Sequence, residues 1–88
     1  MIQNKVRYIN YCVSCFSKQY VMSLLEAYNY LERYGGIAFL DECYPAEHLL
    51  SIEEALHDLI IICKNNGGGL GWYYTYVLQY EFDEKYLI

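Results

Sequence analysis

The chain has 88 residues, 56% of them apolar or aromatic, and a net charge of −5 from eleven acids against six lysines and arginines. This length predicts a single domain, and the acidic balance excludes a non-specific nucleic-acid binder, which needs basic side chains to displace phosphate counterions. The chain also carries twelve tyrosines, more aromatic surface than a small core holds, so we expect part of it to contact another protein or a second copy.

Apolar periodicity predicts a first helix over residues 4–19 and a second that opens at Ser23. The stripe of the first helix is Val6, Ile9, Val13, Phe16 and Tyr20. In the second helix, Ser23 and Glu26 match a capping box, and Gly35 and Gly36 end it because glycine accepts the left-handed conformation common at helix C-termini. The predicted buried face of the second helix is Leu24, Ala27, Tyr28, Leu31 and Tyr34.

A third and a fourth predicted helix complete a mainly α, four-helix domain over residues 1–69. Residues 36–44 are expected to form a brief third helix that Pro45 stops, and residues 45–50 a loop that His48 caps or packs. A second capping box at Ser51 opens a fourth helix that ends near Asn65. The apolar stripe of the fourth helix is Ile52, Ala55, Leu56, Leu59, Ile60 and Cys63. We expect the acids of residues 41–58 to form a solvated face, with Glu54 and Asp58 as ordinary exposed charges.

Residues 70–88 form an aromatic C-terminal extension with a different period. Apolar side chains alternate with increasingly polar ones, a pattern that favours a β-strand; a helix through Tyr73, Val77, Tyr80 and Leu87 is the alternative. A strand would leave its backbone groups unpaired unless a second copy or another protein added a strand beside it. The predicted partner-binding residues are Trp72, Tyr74, Tyr76, Leu78 and Tyr80.

No set of residues predicts catalysis, a metal or a cofactor. Cys12 and Cys15 form one close pair in the middle of a helix, whereas a structural zinc site usually needs two close pairs; we expect the four cysteines to be reduced and packed on helix faces. The glycine-rich residues 67–71 lack the lysine of a phosphate-binding loop and follow a helix. The chain is therefore predicted not to be an enzyme.

The N-terminal residues contain no apolar segment typical of a signal peptide. The longest apolar run, residues 59–63, is far shorter than the ~18 residues of a membrane span. We therefore expect a cytoplasmic protein that does not bind membranes.

The segment over residues 28–69 resembles a small bacterial family, number three-seven-nine-one in the domain-of-unknown-function series. The shared pattern comprises Tyr34-Gly35, residues 37–40, Cys43-Tyr44, His48, Ser51, Asp58-Leu59, Cys63 and a Gly-Gly end. Residues 5–30 fit the first two helices of the family more loosely, and residues after Leu70 depart from its pattern.

The resemblance implies a short helical protein that is often encoded beside an ADP-ribosyltransferase-like protein. On that basis the expected function is an antitoxin-like, non-enzymatic module that neutralises this neighbour by occlusion, through the aromatic extension and the acidic middle helices. A structural homodimer with paired extensions is one alternative. A second alternative is an accessory to a transcriptional regulator. In every case, the chain is expected not to contact nucleic acid directly.

Overall fold

The computed structural model describes residues 2–69, which form five α-helices joined by short turns. In chain order they are α1 (Ile2–Gln19), α2 (Leu24–Arg33), α3 (Gly36–Glu42), α4 (Tyr44–Glu47) and α5 (Ile52–Asn65). The prediction of a mainly α fold is confirmed. The count of four helices is wrong, because α4 was predicted as loop.

Helix α4 is a single turn whose second residue is Pro45, so the proline does not prevent a helix here. Proline is tolerated in the first turn of a helix, where its missing N–H has no intrahelical partner in any case. The third helix accordingly ends at Glu42, two residues before its predicted end, and Cys43 links it to α4. The carbonyl of Cys43 accepts from the amides of Ala46 and Glu47 at 3.0 and 2.8 Å, so the chain turns sharply between α3 and α5.

Helix α1 is central, as its broad apolar stripe predicts, and packs against α2, α3 and α5. Phe16 lies at the middle of the core, fully buried, with its ring 4.6 Å from that of Tyr20 and 5.9 Å from that of Tyr30. The buried core cluster is Cys12, Val13, Phe16, Tyr20, Ala27, Leu31, Leu40, Leu59 and Cys63. Its members come from α1 and the turn that follows it, α2, α3 and α5, so these helices bury one common interior.

The buried face of α2 differs from the prediction. Ala27 and Leu31 are fully buried, but Leu24 is 60% and Tyr28 41% exposed. Tyr30 turns inward instead, because its ring stacks on Phe16 of α1. A small rotation of α2 about its axis therefore leaves two of the predicted core residues at the surface.

The starts of α2 and α5 follow the sequence closely. The Ser23 hydroxyl accepts from the Glu26 amide at 3.1 Å, and the Glu26 carboxylate accepts from the Ser23 amide at 3.0 Å, which completes the predicted capping box. At α5 the Ser51 hydroxyl accepts from the Glu54 amide at 3.2 Å, which is one of the two bonds of the capping box predicted there. These caps satisfy amides that the first turn of a helix leaves without partners.

Three helices end at a residue in the left-handed region. Gly35 follows α2 with φ 82°, Gly67 follows α5 with φ 98°, and Val21 follows α1 with φ 53°. At α1, Met22 donates to the Ser17 carbonyl at 2.9 Å and Val21 to the Lys18 carbonyl at 3.4 Å, the pattern of a Schellman motif. Glycine suits this position because it has no Cβ, whereas a β-branched valine is strained there. Gly36 begins α3, as predicted.

Candidate functional site

The predicted partner-binding residues Trp72, Tyr74, Tyr76, Leu78 and Tyr80 lie outside residues 2–69. The strand or helix alternative for the extension, and the domain boundary after residue 69, lie outside them as well. Within residues 2–69, two features stand apart from ordinary packing: a cluster of carboxyl groups and rings at α4, and an exposed apolar surface where α1 meets α2.

The α4 cluster consists of five side chains that three helices bring together: Tyr8, Tyr44, Glu47, His48 and Asp58. Tyr8 belongs to α1 and Asp58 to α5, while the other three come from α4 and the residue that caps it. The Tyr8 hydroxyl donates to the Glu47 carbonyl at 3.0 Å across 39 residues of chain. This bond ties the short α4 turn directly to the central helix.

Three rings enclose one side of the α4 cluster. Tyr44 and His48 stack with their centroids 4.5 Å apart and their planes 19° from parallel, and Tyr8 meets Tyr44 edge-on at 5.5 Å. The His48 Nδ1–H donates to the Tyr44 carbonyl at 2.6 Å. His48 therefore caps its own turn, as the sequence analysis predicted for this histidine.

Glu47 is the unusual member of the cluster, because it is a carboxylic acid only 6% exposed. Its Oε1 atom has no hydrogen-bond partner in the part of the chain that the structure describes. Burial first, then a hydrogen bond with the Asp58 carboxyl group and the negative charges of Asp58 and Glu54, raise the pKa of Glu47 to about 7. Two carboxyl groups in hydrogen-bonding contact are accommodated most readily when one of them is protonated.

This geometry corrects the prediction that the acids of residues 41–58 form a solvated face. Glu47 is buried, and Asp58 is half-buried rather than fully exposed. Sequence reasoning missed the pair because the two residues are eleven apart and belong to different helices. The only signal available was the position of Glu47 three residues after Tyr44, in a segment predicted to be a loop because of Pro45.

The neighbouring tyrosine and thiol are held in their neutral forms. Burial, followed by a hydrogen bond with Cys12, raises the pKa of Tyr8 above its ordinary value. Burial raises the pKa of the Cys12 thiol to about 11. A thiolate at Cys12 is thus strongly disfavoured at neutral pH, and the cluster does not present an activated nucleophile from these two residues.

The second feature, which we call the α1–α2 corner, consists of the exposed apolar side chains Val21, Leu24, Leu25 and Tyr28. They are 84%, 60%, 68% and 41% exposed, respectively. Residues three and four apart are neighbours on a helix surface, so Leu24, Leu25 and Tyr28 form one continuous patch. Single exposed apolar residues need no explanation, but a contiguous group of this kind is typical of a protein-binding surface.

In the region of residues 2–69, all four cysteines are free thiols. No three His, Cys, Asp or Glu side chains of this region lie close enough together to hold a metal ion. None of its helices combines the length and hydropathy that crossing a bilayer requires.

Comparison with known proteins identifies a family without a described activity. A family model described as "Protein of unknown function (DUF3791)" matches residues 7–66, a span that includes the whole α4 cluster and the α1–α2 corner and ends before the extension. No curated protein and no solved structure matches the chain significantly. The match covers more than half of the sequence, and the chain is therefore a member of the DUF3791 family.

Proposed function

We propose that this chain is a non-enzymatic, antitoxin-like module that binds an ADP-ribosyltransferase-like protein encoded beside it and neutralises that protein by occlusion. The protein-binding part of the proposal rests on the α1–α2 corner, where the turn after α1 and the first half of α2 expose four large apolar residues within eight positions of the chain. The nature of the partner follows from the gene neighbourhood that the family resemblance implies.

The backbone at Val21 supports a binding role for the corner. Helices α2 and α5 use glycine at the left-handed position after the helix, whereas α1 uses a valine that is 84% exposed. A β-branched residue there costs about 1–2 kcal/mol relative to an unstrained conformation. Because the side chain is exposed, packing within the chain offsets little of this cost. Strained and exposed apolar residues of this kind occur where binding, rather than folding, benefits from the side chain.

The extension supplies the second half of the proposed surface. Its aromatic residues are of the type that dominates the binding energy of protein interfaces. In the proposed mechanism, the corner and the extension cover the cleft in which the partner binds its substrate or NAD, so that inhibition needs no chemistry from this chain.

The proposal is tested by measuring the affinity for the neighbouring ADP-ribosyltransferase-like protein with two double variants. Leu24→Asp with Leu25→Asp places two charges in the corner, and Trp72→Ala with Tyr76→Ala truncates the extension. Each is expected to raise the Kd at least about 100-fold, because losing two interface anchors costs at least about 3 kcal/mol. Isothermal titration calorimetry measures the Kd, and far-UV circular dichroism checks that helicity is retained.

Leu49→Asp is the matched control, because Leu49 is 76% exposed but lies in the turn before α5, away from the corner. Its Kd should stay within about threefold of the unchanged chain. Equal binding by all variants would overturn the proposed surface. A stable dimer that is lost when residues 70–88 are removed, together with no binding of the neighbouring protein, would favour the homo-oligomer instead.

A second prediction concerns Val21 alone. Asparagine tolerates the left-handed region far better than valine, so Val21→Asn is expected to raise the free energy of unfolding of the isolated chain by about 1 kcal/mol while weakening partner binding. Urea unfolding and calorimetry measure the two quantities. Val6→Asn, at an exposed valine within α1, should show neither effect, and a destabilised Val21→Asn would contradict the argument from strain.

A further inference from the structure

A surface groove of about 300 Å³, which we call the α1–α5 groove, lies between the C-terminal part of α1 and the N-terminal part of α5. It shares no residue with the α1–α2 corner or the α4 cluster. Its volume is at the lower end of the range for small-molecule pockets, so it suits the side chains of a docked segment better than a whole cofactor. The half-buried apolar residues of the groove are Cys15, Ile52 and Leu56, and the exposed residues of its rim are Lys18, Gln19 and Glu53.

The backbone after α5 is fixed in place up to the start of the extension. Gly67 has φ 98°, and its amide donates to the Lys64 carbonyl at 3.1 Å. The Gly68 amide donates to the Cys63 carbonyl at 2.8 Å, which completes a Schellman motif. A Cβ at Gly68 would collide with the Tyr30 hydroxyl group and the Cys63 carbonyl. The extension therefore starts from a fixed point at one end of α5, the helix whose other end forms one wall of the groove.

The extension is long enough to return to the groove. Leu56 and Ile52 lie nine and thirteen residues before Asn65, the last residue of α5, which is about 14 and 20 Å along the helix axis. An extended chain covers these distances in about four to six residues, and a helix in about nine to thirteen. Either conformation brings part of the aromatic stretch of residues 72–80 level with the groove.

The composition of the extension matches that of the groove. Residues 72–80 contain one tryptophan and four tyrosines, whose rings suit an apolar surface and whose polar groups can still reach water. The acids of residues 81–84 and then Lys85 follow this stretch. Lys18 has no ion-pair partner in the part of the chain that the structure describes, and Glu53 faces it from the other helix. The rim thus offers each charged group of the extension a group of the opposite sign.

We propose that the α1–α5 groove is an intramolecular docking site for the C-terminal extension of the same chain, whose aromatic side chains cover the groove while no partner is bound. A tethered segment faces the groove at an effective concentration in the millimolar range, which favours it over a second copy or another protein. Docking removes apolar ring surface from water. The contact belongs to the free chain and does not depend on the identity of the partner; a partner that binds the extension must first displace it from the groove.

Thiol reactivity in the full-length chain tests whether the groove is covered. Cys15 lies in the groove and Cys43 outside it, both half-buried, whereas the other two cysteines are fully buried. In a Cys43→Ser chain, Cys15 is therefore the accessible thiol, and its reaction with dithiobis(nitrobenzoate) is followed by absorbance. Adding Trp72→Ala with Tyr76→Ala is expected to raise its rate about tenfold, the change for a groove that is covered roughly nine-tenths of the time.

The matched control is the same pair of alanine substitutions in a Cys15→Ser chain, where Cys43 is the accessible thiol. Cys43 links α3 to α4 and does not line the groove, so its rate should stay within about twofold of that of the chain with an unchanged extension. Equal Cys15 rates with and without the two aromatic side chains would overturn the proposal. A parallel rise of the Cys15 and Cys43 rates, which indicates general loosening of the domain, would overturn it as well.

Trp72 reports on the extension itself, because it is the only tryptophan of the chain. Without a partner, its emission maximum is expected at a shorter wavelength than in the urea-unfolded chain, and acrylamide should quench it less. Ile52→Asp places a charge in the groove at the first residue of α5, where an acid suits the helix, and should shift both values toward those of the unfolded chain. Ile61→Asp, at an exposed position of α5 outside the groove, should leave both unchanged. Far-UV circular dichroism checks that both variants keep their helices.

Dilution separates the extension of the same chain from that of a second copy. A tethered contact gives the same Trp72 emission maximum over about a hundredfold range of protein concentration. A shift to longer wavelength on dilution, together with a dimer mass from light scattering, would overturn the proposal in favour of contacts between copies. An emission maximum equal to that of the urea-unfolded chain at every concentration would show that the extension is not docked at all.

Discussion

Replacing Phe16 by alanine is expected to lower the free energy of unfolding by about 3–5 kcal/mol, the range measured for removing a large aromatic side chain from a packed core. Phe16 is fully buried in the last turn of α1, and its ring contacts those of Tyr20 and Tyr30. A domain of this size has a modest total stability. The variant should therefore be substantially unfolded at 37 °C, as measured by thermal and urea denaturation followed by circular dichroism.

Tyr11→Ala provides the comparison on the same helix. Tyr11 is 53% exposed, so truncating its ring should change stability by no more than about 0.5–1 kcal/mol. If both variants lost similar stability, Phe16 would not be the centre of the core. Loss confined to Phe16→Ala would confirm that the interior shared by α1 and α2 determines the stability of the domain.

Replacing Gly35 by alanine is expected to cost about 2–3 kcal/mol for two separate reasons. Gly35 has φ 82°, where an L-residue pays about 1–2 kcal/mol. An added Cβ would also lie 2.6 Å from Asn66 Nδ2, which donates to the Tyr34 carbonyl at 2.8 Å. Displacing that amide removes a hydrogen bond worth about 1 kcal/mol. Urea denaturation measures the total.

Two other glycines separate the two costs. Among residues 2–69, Gly67 has φ 98° but nothing within 4 Å of an added Cβ, so Gly67→Ala should pay only the backbone cost of about 1–2 kcal/mol. Gly69 has neither a positive φ nor a nearby atom from the described part of the chain, and Gly69→Ala should be close to neutral. If Gly35→Ala and Gly67→Ala cost the same, the contact of Asn66 with the α2–α3 turn contributes nothing.

The helices that begin and end with clear local signals were predictable from the sequence. The capping box at Ser23 forms both of its bonds, the glycine after Tyr34 adopts the left-handed conformation, and α5 begins and ends where its cap and glycines indicate. Each of these features depends on residues within one turn of one another. Interactions between residues this close in the sequence can be predicted without knowing the fold.

Helix α4 and the orientation of α2 were not predictable in this way. Pro45 usually marks an interruption, but it also suits a first turn, and only the packing of Tyr44 and His48 against Tyr8 shows which applies here. The exposure of Leu24 and Tyr28 likewise depends on Tyr30 meeting Phe16. A rotation of one helix by a fraction of a turn changes its buried face without any change in its sequence pattern.

The sequence by itself determined the helical class, most helix boundaries, the family resemblance and the presence of an aromatic C-terminal extension, because periodicity, caps and motifs are local properties. Only the tertiary structure decided that Glu47 is buried beside Asp58 and that the α1–α2 corner remains exposed. Burial and charge environment are set by side chains that arrive from distant parts of the chain. The proposed partner surface depends on such long-range contacts.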